Sequence, residues 1–235
     1  MGLYIILMGV QGAGKGVQAQ FIREQYSIPH VSTGDLFRAM KTREDDFARK
    51  IQQVLDSGQL VSDEITNEIV RERLSQPDAQ NGVIFDGFPR NADQAKWLEQ
   101  HLAEKGEKVN AVLVLKLDLY TAFRRAFGRV KLPKSDQVYN IYSDNDAIEW
   151  SFEEHPDKAF PPRLKAREKA TGIELERRVD DANAAAIIER IDTYLKTTAP
   201  LVEYYENEGL LHEVDAIQSI EDVSKAVKSI IDKTL

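Results

Sequence analysis

The run Leu3-Tyr4-Ile5-Ile6-Leu7-Met8 is apolar and rich in strand formers, and it changes character abruptly at Gly9-Val10-Gln11-Gly12-Ala13-Gly14-Lys15-Gly16. Four of those eight residues are glycine, and the segment after them reads as a helix. Strand, glycine-rich turn and helix in that order form the context in which backbone N–H groups converge on a phosphate. Glycine permits the backbone conformations this requires, and the positive end of the following helix faces the same point. Lys15 adds an ammonium for terminal phosphates. These residues predict a nucleoside triphosphate site; the competing reading is an ordinary strand-to-helix turn with a chance lysine.

The rest of the chain reads as alternating strands and helices. Gly14 to Tyr26 is expected to be a helix with Val17, Phe21 and Ile22 on one side. Pro29-His30-Val31 is extended and ends at Ser32-Thr33-Gly34-Asp35. Residues 36–55 read as a charged helix too poor in large apolar groups for the main core, hence a small lobe. Ser62 with Asp63 and Glu64 opens another helix, its acids placed where the dipole favours them. Gly82-Val83-Ile84-Phe85-Asp86 is a buried strand ending in an acid, Asn91 to Glu104 a helix, and Ala111 to Leu117 another strand. A fifth strand, Leu210 to Val214, precedes Asp215, and Ser219-Ile220-Glu221-Asp222 is a capping box for the last helix. Strands separated by helices imply a parallel sheet covered on both faces, with ligands bound beyond the strand C-terminal ends. Gly9, Ser32, Asp86 and Leu117 then point toward one crevice.

Residues 128–178 break this pattern. They hold four of the eight prolines, the alternation Gln137-Val138-Tyr139-Asn140-Ile141-Tyr142 and no long apolar run. They are expected to form an inserted, strand-rich and mobile small domain, with Trp150, Phe152, Phe160 and the tyrosines supplying its core. A disordered loop is the alternative, although a loop this long seldom stays structureless in a compact domain.

Composition sets limits on function. At 235 residues the chain can bury one good core and carry inserted lobes. A net charge of −8 argues against a general nucleic-acid or membrane-surface binder, so any polyphosphate must meet locally concentrated cations. Zero cysteines exclude disulfides, a thiol nucleophile and a Cys-built zinc site. No apolar stretch is long enough to span a membrane. The N-terminal run has no basic segment before it, so it is expected to be a core strand rather than a signal peptide. Gly2 does not complete a myristoylation motif, because Ile6 stands where Ser or Thr is needed. A cytoplasmic protein is the expectation.

Five segments together resemble the adenylate kinases, within the nucleoside-monophosphate kinases. They are the loop Gly9 to Gly16, Ser32-Thr33-Gly34-Asp35-Leu36-Phe37-Arg38, Asp86-Gly87-Phe88-Pro89-Arg90, Arg178-Val179-Asp180-Asp181 and Thr198-Ala199-Pro200-Leu201. The match runs in order along essentially the whole chain. The resemblance implies a P-loop NTPase-type α/β fold: a five-stranded parallel sheet with helices on both faces and two inserted subdomains. Residues 1–31, 63–127 and 181–235 would form the core, 32–62 the AMP-binding lobe and 128–180 the lid.

The implied reaction is ATP plus AMP giving two ADP, with magnesium and without a phosphoenzyme. Gly12, Ala13, Gly14, Lys15, Gly16 and Val17 would line the ATP phosphates, with Arg125, Arg129 and Gln218 as further ATP contacts. Arg38 and Arg90 would grip the AMP phosphate, for which the arginine fork suits better than lysine. Arg178 and Arg190 would reach the transferring phosphoryl group, and Asp86 would position magnesium-bound waters; its alternative role is a turn cap. No direct metal ligand and no structural zinc are implied. Ser32, Thr33, Leu60, Val61, Gly87 and Gln94 would complete the AMP site. Thr33 and Gln94 fit adenine, while Asn91 resembles the pattern of pyrimidine-specific relatives; Asn91 and Gln94 also have the spacing of a capping pair. Asp180 and Asp181 would serve the lid hinge.

Two departures stand out. Val17 replaces the usual threonine, a change expected to weaken nucleotide binding by about 1 kcal/mol. The lid lacks the family's Ser-Gly-Arg and His-containing turn and has Lys134-Ser135-Asp136-Gln137 instead. A kinase for UMP, CMP or another monophosphate, or a nucleotide-sensing module without catalysis, are the alternatives. The expected partners are ATP and AMP or ADP, without nucleic acid or membrane, and the expected state is a monomer.

Overall fold

The computed structural model describes residues 2–56, 61–135, 137–143, 145–155, 158, 162–178, 181 and 183–235. They divide into two compact units, the first made of Met1–Gly9, Gly14–Lys116 and Lys196–Leu235, the second of Val10–Ala13 and Leu117–Leu195.

The first unit is built on β1 (Leu3–Met8), whose six residues are all buried. A strand without an exposed face must be central, and it is. With β2 (His30–Ser32), β3 (Gly82–Asp86), β4 (Ala111–Lys116) and β9 (Leu211–Asp215), the sheet order is β2-β3-β1-β4-β9. Every pairing is parallel, so the C-terminal strand ends share one edge. Ser32 and Leu7 both face Asp86 in register. On one side Tyr4, Ile6, Met8, Phe85 and Val112 pack with Val70, Leu98, Leu201 and Tyr205 from α4 (Asp63–Leu74), α5 (Ala92–Ala103) and α8 (Leu201–Asn207). On the other, α1 (Lys15–Tyr26) and α9 (Ile220–Thr234) pack on the sheet and on each other. The five strands expected from the sequence are the five strands of this sheet.

α1 turns a different face inward from the one expected. Gln18, Ala19 and Ile22 are buried while Val17 is exposed. The polar Gln18 is accommodated because Ser224 of α9 donates to its Oε1 at 3.0 Å, which removes the cost of an unpaired buried amide oxygen.

The charged helix expected over residues 36–55 is two helices, α2 (Thr33–Met40) and α3 (Asp46–Asp56). Asp45 restarts the helix by accepting from the Ala48 N–H at 3.0 Å. Gln52 Nε2 reaches back to the carbonyls of Met40 and Arg43, at 2.6 and 2.8 Å. The break therefore leaves those acceptors satisfied. Arg43 in the break pairs with Asp45 and with both carboxylate oxygens of Glu72. Met40, Ala48 and Ile51 form a small core here together with Ile69 of α4.

The second unit contains α6 (Leu119–Phe127), two antiparallel strand pairs and α7 (Ala184–Thr193), with α6 packed on α7. β5 (Arg129–Lys131) pairs with β6 (Val138–Asn140), and β7 (Ile148–Glu153) with β8 (Arg163–Glu168). The strand-rich expectation holds, and of the residues expected in its core Tyr139 is there while Trp150, Phe152 and Tyr142 are not. Val130, Tyr139, Ile141, Ile148, Leu164, Ala166 and Leu175 make the core, whereas Trp150 and Phe152 stay half-exposed; Phe160 lies outside the described residues. Alternation explains the choice: in β8 only Leu164, Ala166 and Glu168 face inward, and Tyr139 donates to Glu168 Oε1 at 2.5 Å. Among the described residues no helix is long and apolar enough to cross a membrane.

Candidate active site

The loop after β1 is a chain of conformations that only glycine adopts cheaply. Gly9, Gly12 and Gly14 have φ of 141°, 91° and 90°, and the Ala13 N–H closes a turn on the Val10 carbonyl at 3.1 Å. Within the second unit, a Cβ on Gly12 would stand 2.4 Å from the Ala122 carbonyl oxygen. Within the first, Gly14 is the left-handed N-cap of α1, and Gly16 and Val17 occupy its opening turn. Lys15 Nζ donates to the Gly9 carbonyl at 2.6 Å. A helix start carries unsatisfied N–H groups and a positive dipole end, which is what an anionic oxygen needs.

Asp86 ends β3 on the edge where the parallel strands finish. Burial would raise its carboxyl, but His30, Lys15 and Arg90 outweigh that and hold it below the ordinary value of 3.8. His30 Nε2 stands 3.4 Å from Asp86 Oδ2. His30 was missed in the sequence, although strand alternation places it on the face of Ser32. Among the described residues no group of three or more His, Cys, Asp or Glu could hold a metal by protein ligands alone. A single ionised carboxylate beside a phosphate loop instead fits a magnesium ion that keeps its waters and takes phosphate oxygens.

Beyond Asp86 the chain turns through Gly87, at φ 75°, and its geometry makes a compact cradle. Thr33 Oγ1 donates to the Gly87 carbonyl at 2.9 Å and accepts from Arg90 Nη2 at 3.2 Å. Arg90 Nε also donates to Gly87, at 2.8 Å. A Cβ on Gly87 would meet Thr33 Oγ1 at 2.8 Å, so glycine is what lets these groups close up. Crowding by protein atoms lowers the Arg90 guanidinium below its ordinary value, with Asp86 opposing. Ser32 caps α2 through the Asp35 N–H, and Arg38 pairs with Asp35 at 2.5 Å across Gly34.

Gln94 is 3% exposed and both ends of its carboxamide are engaged. Oε1 accepts from the Arg90 N–H at 2.8 Å and Nε2 donates to Asp63 Oδ1 at 2.6 Å. Asn91 caps α5 by accepting from the Gln94 N–H at 2.9 Å, and its Nδ2 donates to both Asp63 oxygens. Of the capping pair expected from the spacing, the Asn91 cap is present, whereas the Gln94 side chain answers the Arg90 N–H instead of that of Asn91. Asp63, read in the sequence only as a favourable acid in a first turn, has this second use. Val61 is partly buried; Leu60 lies outside the described residues.

The second unit gathers its own cations on one acid. Asp181, fully buried, accepts from Arg129 Nε at 2.9 Å and Nη2 at 2.5 Å, and Arg190 Nη1 stands 3.5 Å away. Gln11 Nε2, from the loop, donates to the other carboxylate oxygen at 2.5 Å. Arg177 donates to the carbonyls of Phe127 and Asp181 and lies over the Phe127 ring. Its neighbour Arg178 is exposed, Arg125 is partly buried on α6, and Gln218 is exposed in the turn after β9. Gln11 and Arg177 were not anticipated. Gln11 lies inside the loop motif, where attention fell on glycines, and nothing in sequence separates Arg177 from Arg178. Asp180 lies outside the described residues.

The family model described as adenylate kinase matches residues 7–210 of this chain. The adenylate kinase of Listeria innocua serovar 6a is 37% identical over 228 residues, which cover 97% of this chain and 98% of that one. That of Nitrosococcus oceani is 37% identical over 228 residues, covering 97% of each. That of Moorella thermoacetica is 36% identical over 223 residues, covering 95% of each.

Proposed function

The chain belongs to the adenylate kinase family and transfers a phosphoryl group from ATP to AMP, giving two ADP; from that premise we propose what its residues do. The carrying observation is that Lys15 and Arg90 both act electrostatically on Asp86, which ends β3, and that Thr33 is bonded to Arg90. Phosphoryl transfer asks chiefly for positioning and charge neutralisation, and this is a set of groups for those tasks.

Lys15 and the loop N–H groups from Gly12 to Val17 hold the β- and γ-phosphates. Arg38 and Arg90 hold the AMP phosphate, Arg90 being aimed by its bonds to Gly87 and Thr33. Ser32, Gly87 and Val61 shape the rest of that pocket, and Gln94 reads the base. Arg129 and Arg190, oriented by Asp181, neutralise charge on the transferring group, together with Arg125 and Arg178. Gln218 contacts the ATP base. Asp86 would hold a magnesium ion through its waters, and that ion would supply neutralisation of the phosphate oxygens. Transfer is direct and in line, with water excluded to prevent hydrolysis. The protein acts as a cytoplasmic monomer in this reading.

The test is Arg90→Lys, assayed for diphosphate formation with ATP and magnesium against AMP, UMP, CMP and GMP. Lysine keeps the charge but lacks the planar fork whose Nε and Nη2 serve Gly87 and Thr33 while other N–H groups stay directed outward, so kcat with AMP should fall at least about 10²-fold with unchanged circular dichroism. Unchanged turnover removes Arg90 from the mechanism, and a wild-type preference for UMP or CMP removes Gln94 as the adenine reader.

A further inference from the structure

A carboxamide turned by half a rotation occupies the same space with its donor and acceptor exchanged, so a glutamine that discriminates bases must have its polarity fixed. In this protein it is fixed from both ends. The Arg90 N–H, a donor only, faces Gln94 Oε1 at 2.8 Å. The Asp63 carboxylate, an acceptor only, faces Gln94 Nε2 at 2.6 Å. Exchanging the ends would set oxygen against carboxylate and N–H against N–H, in a side chain with almost no access to water. Asp63 is itself held, since Asn91 Nδ2 donates to both its oxygens at 3.1 and 3.0 Å, and Asn91 in turn accepts from the Gln94 N–H. Gln94, Asp63 and Asn91 close a cycle in which each polarity dictates the next, and the Arg90 N–H anchors it from outside.

Each end of the carboxamide retains one further bonding direction, a second N–H on nitrogen and a second lone pair on oxygen. Adenine presents an amino donor beside a ring-nitrogen acceptor. Hypoxanthine and guanine present the reverse, an oxygen acceptor beside a ring N–H. A carboxamide of fixed polarity pairs with the first edge and opposes the second.

We propose that Asp63 is a positioning residue for base choice, setting which monophosphate is accepted by fixing the polarity of the Gln94 carboxamide. This rests on the reading of Gln94 as the residue that meets the base. The backbone N–H of Arg90 cannot be removed by substitution, whereas the Asp63 side of the lock can. Asp63→Asn replaces an acceptor-only group with one that presents either polarity and so releases the carboxamide to turn.

The experiment compares kcat/KM for AMP and IMP, with ATP and magnesium, in the wild type, Asp63→Asn, Asp63→Glu and Gln94→Leu. Asp63→Asn should lower the AMP:IMP ratio by roughly tenfold or more, the scale of one bidentate base contact. Asp63→Glu, which restores an acceptor-only group, should recover most of that ratio. If Asp63→Asn lowers both substrates equally, or stability alone, the residue merely supports α4 and the proposal is overturned. Gln94→Leu separates the two levels of the argument: an unchanged ratio there means Gln94 does not meet the base, and the underlying reading fails first. A collapsed ratio in Gln94→Leu with an intact one in Asp63→Asn overturns only the role of Asp63. Should Asp63→Asn not fold, the wild type supplies the answer by NMR. The Gln94 side-chain N–H signals, assigned by their loss in Gln94→Leu, should exchange slowly with solvent, and fast exchange overturns the lock.

Discussion

The loop glycines differ in what a methyl group would meet, so alanine at each should have a different outcome. At Gly12 the backbone is left-handed and a Cβ would lie 2.4 Å from the Ala122 oxygen and 3.1 and 3.2 Å from two further Ala122 backbone atoms. Backbone cannot swing aside as a side chain can. Left-handed strain costs about 1–2 kcal/mol and overpacking about 1–3 kcal/mol, so Gly12→Ala should lose roughly 2–5 kcal/mol. Gly14 has nearly the same φ but nothing within 4 Å, leaving only the strain of about 1–2 kcal/mol. Gly16 has open space and lies inside α1, where alanine should gain up to about 1 kcal/mol. At about 2–4 °C per kcal/mol for a chain of this size, melting should fall by about 10 °C in Gly12→Ala and about 4 °C in Gly14→Ala, and rise slightly in Gly16→Ala. The assay is thermal unfolding by circular dichroism without nucleotide, followed by ATP titration of each variant. Gly16→Ala should bind ATP more weakly despite its stability if, as proposed, the loop N–H groups hold the phosphates, since a methyl group would then stand in the space a phosphate approaches. Equal melting temperatures for Gly12→Ala and Gly14→Ala would refute the contact with Ala122 and the reasoning built on it.

Two further predictions concern buried polar groups. Asp86 has a folded-state pKa below its ordinary 3.8, so it contributes stability that is complete above that value and lost as the pH falls through the lowered one. In urea titrations between about pH 6 and pH 3, stability of the wild type should fall more steeply toward acid than that of Asp86→Asn; parallel profiles would show that the surrounding cations do not act on it. Tyr205 is fully buried, and its hydroxyl has no hydrogen-bond partner among the described residues. Tyr205→Phe should therefore raise the urea-derived stability by about 1 kcal/mol, and a loss of that size would show a partner for the hydroxyl.

The centre of the sheet could be read from sequence because β1, β3 and β4 are short apolar runs that stop at a change of residue type. Met8 gives way to Gly9 and Phe85 to Asp86. The break between α2 and α3 could not be read, because Gln52 satisfies carbonyls nine and twelve residues behind it, and helical periodicity carries no trace of that. The face of α1 was misjudged for a similar reason. Gln18 looks solvent-exposed until Ser224, 206 residues away, is known to answer it. In the candidate site, residues inside motifs were visible and those that orient them were not. Lys15, Asp86 and Arg90 announce a phosphate by type and spacing. His30, Asp63 and Gln11 act through partners 56, 31 and 170 residues distant, and only folding reveals those pairings.

Among the described residues, three apolar clusters share no buried residue, although partly buried Leu36 packs against the first two: that on one face of the sheet, that of Met40, Ala48, Ile51 and Ile69, and that around Val130 and Tyr139. Cooperativity within a protein extends as far as shared packing does. Four buried residues, one of them Ile69 on α4, hold far less free energy against opening than the large set beneath α4 and α5, so α2 and α3 should open and reclose more often than the sheet. Their backbone amides would exchange hydrogen for deuterium long before those of β1. Opening of that kind would leave in place the strand that carries Asp86.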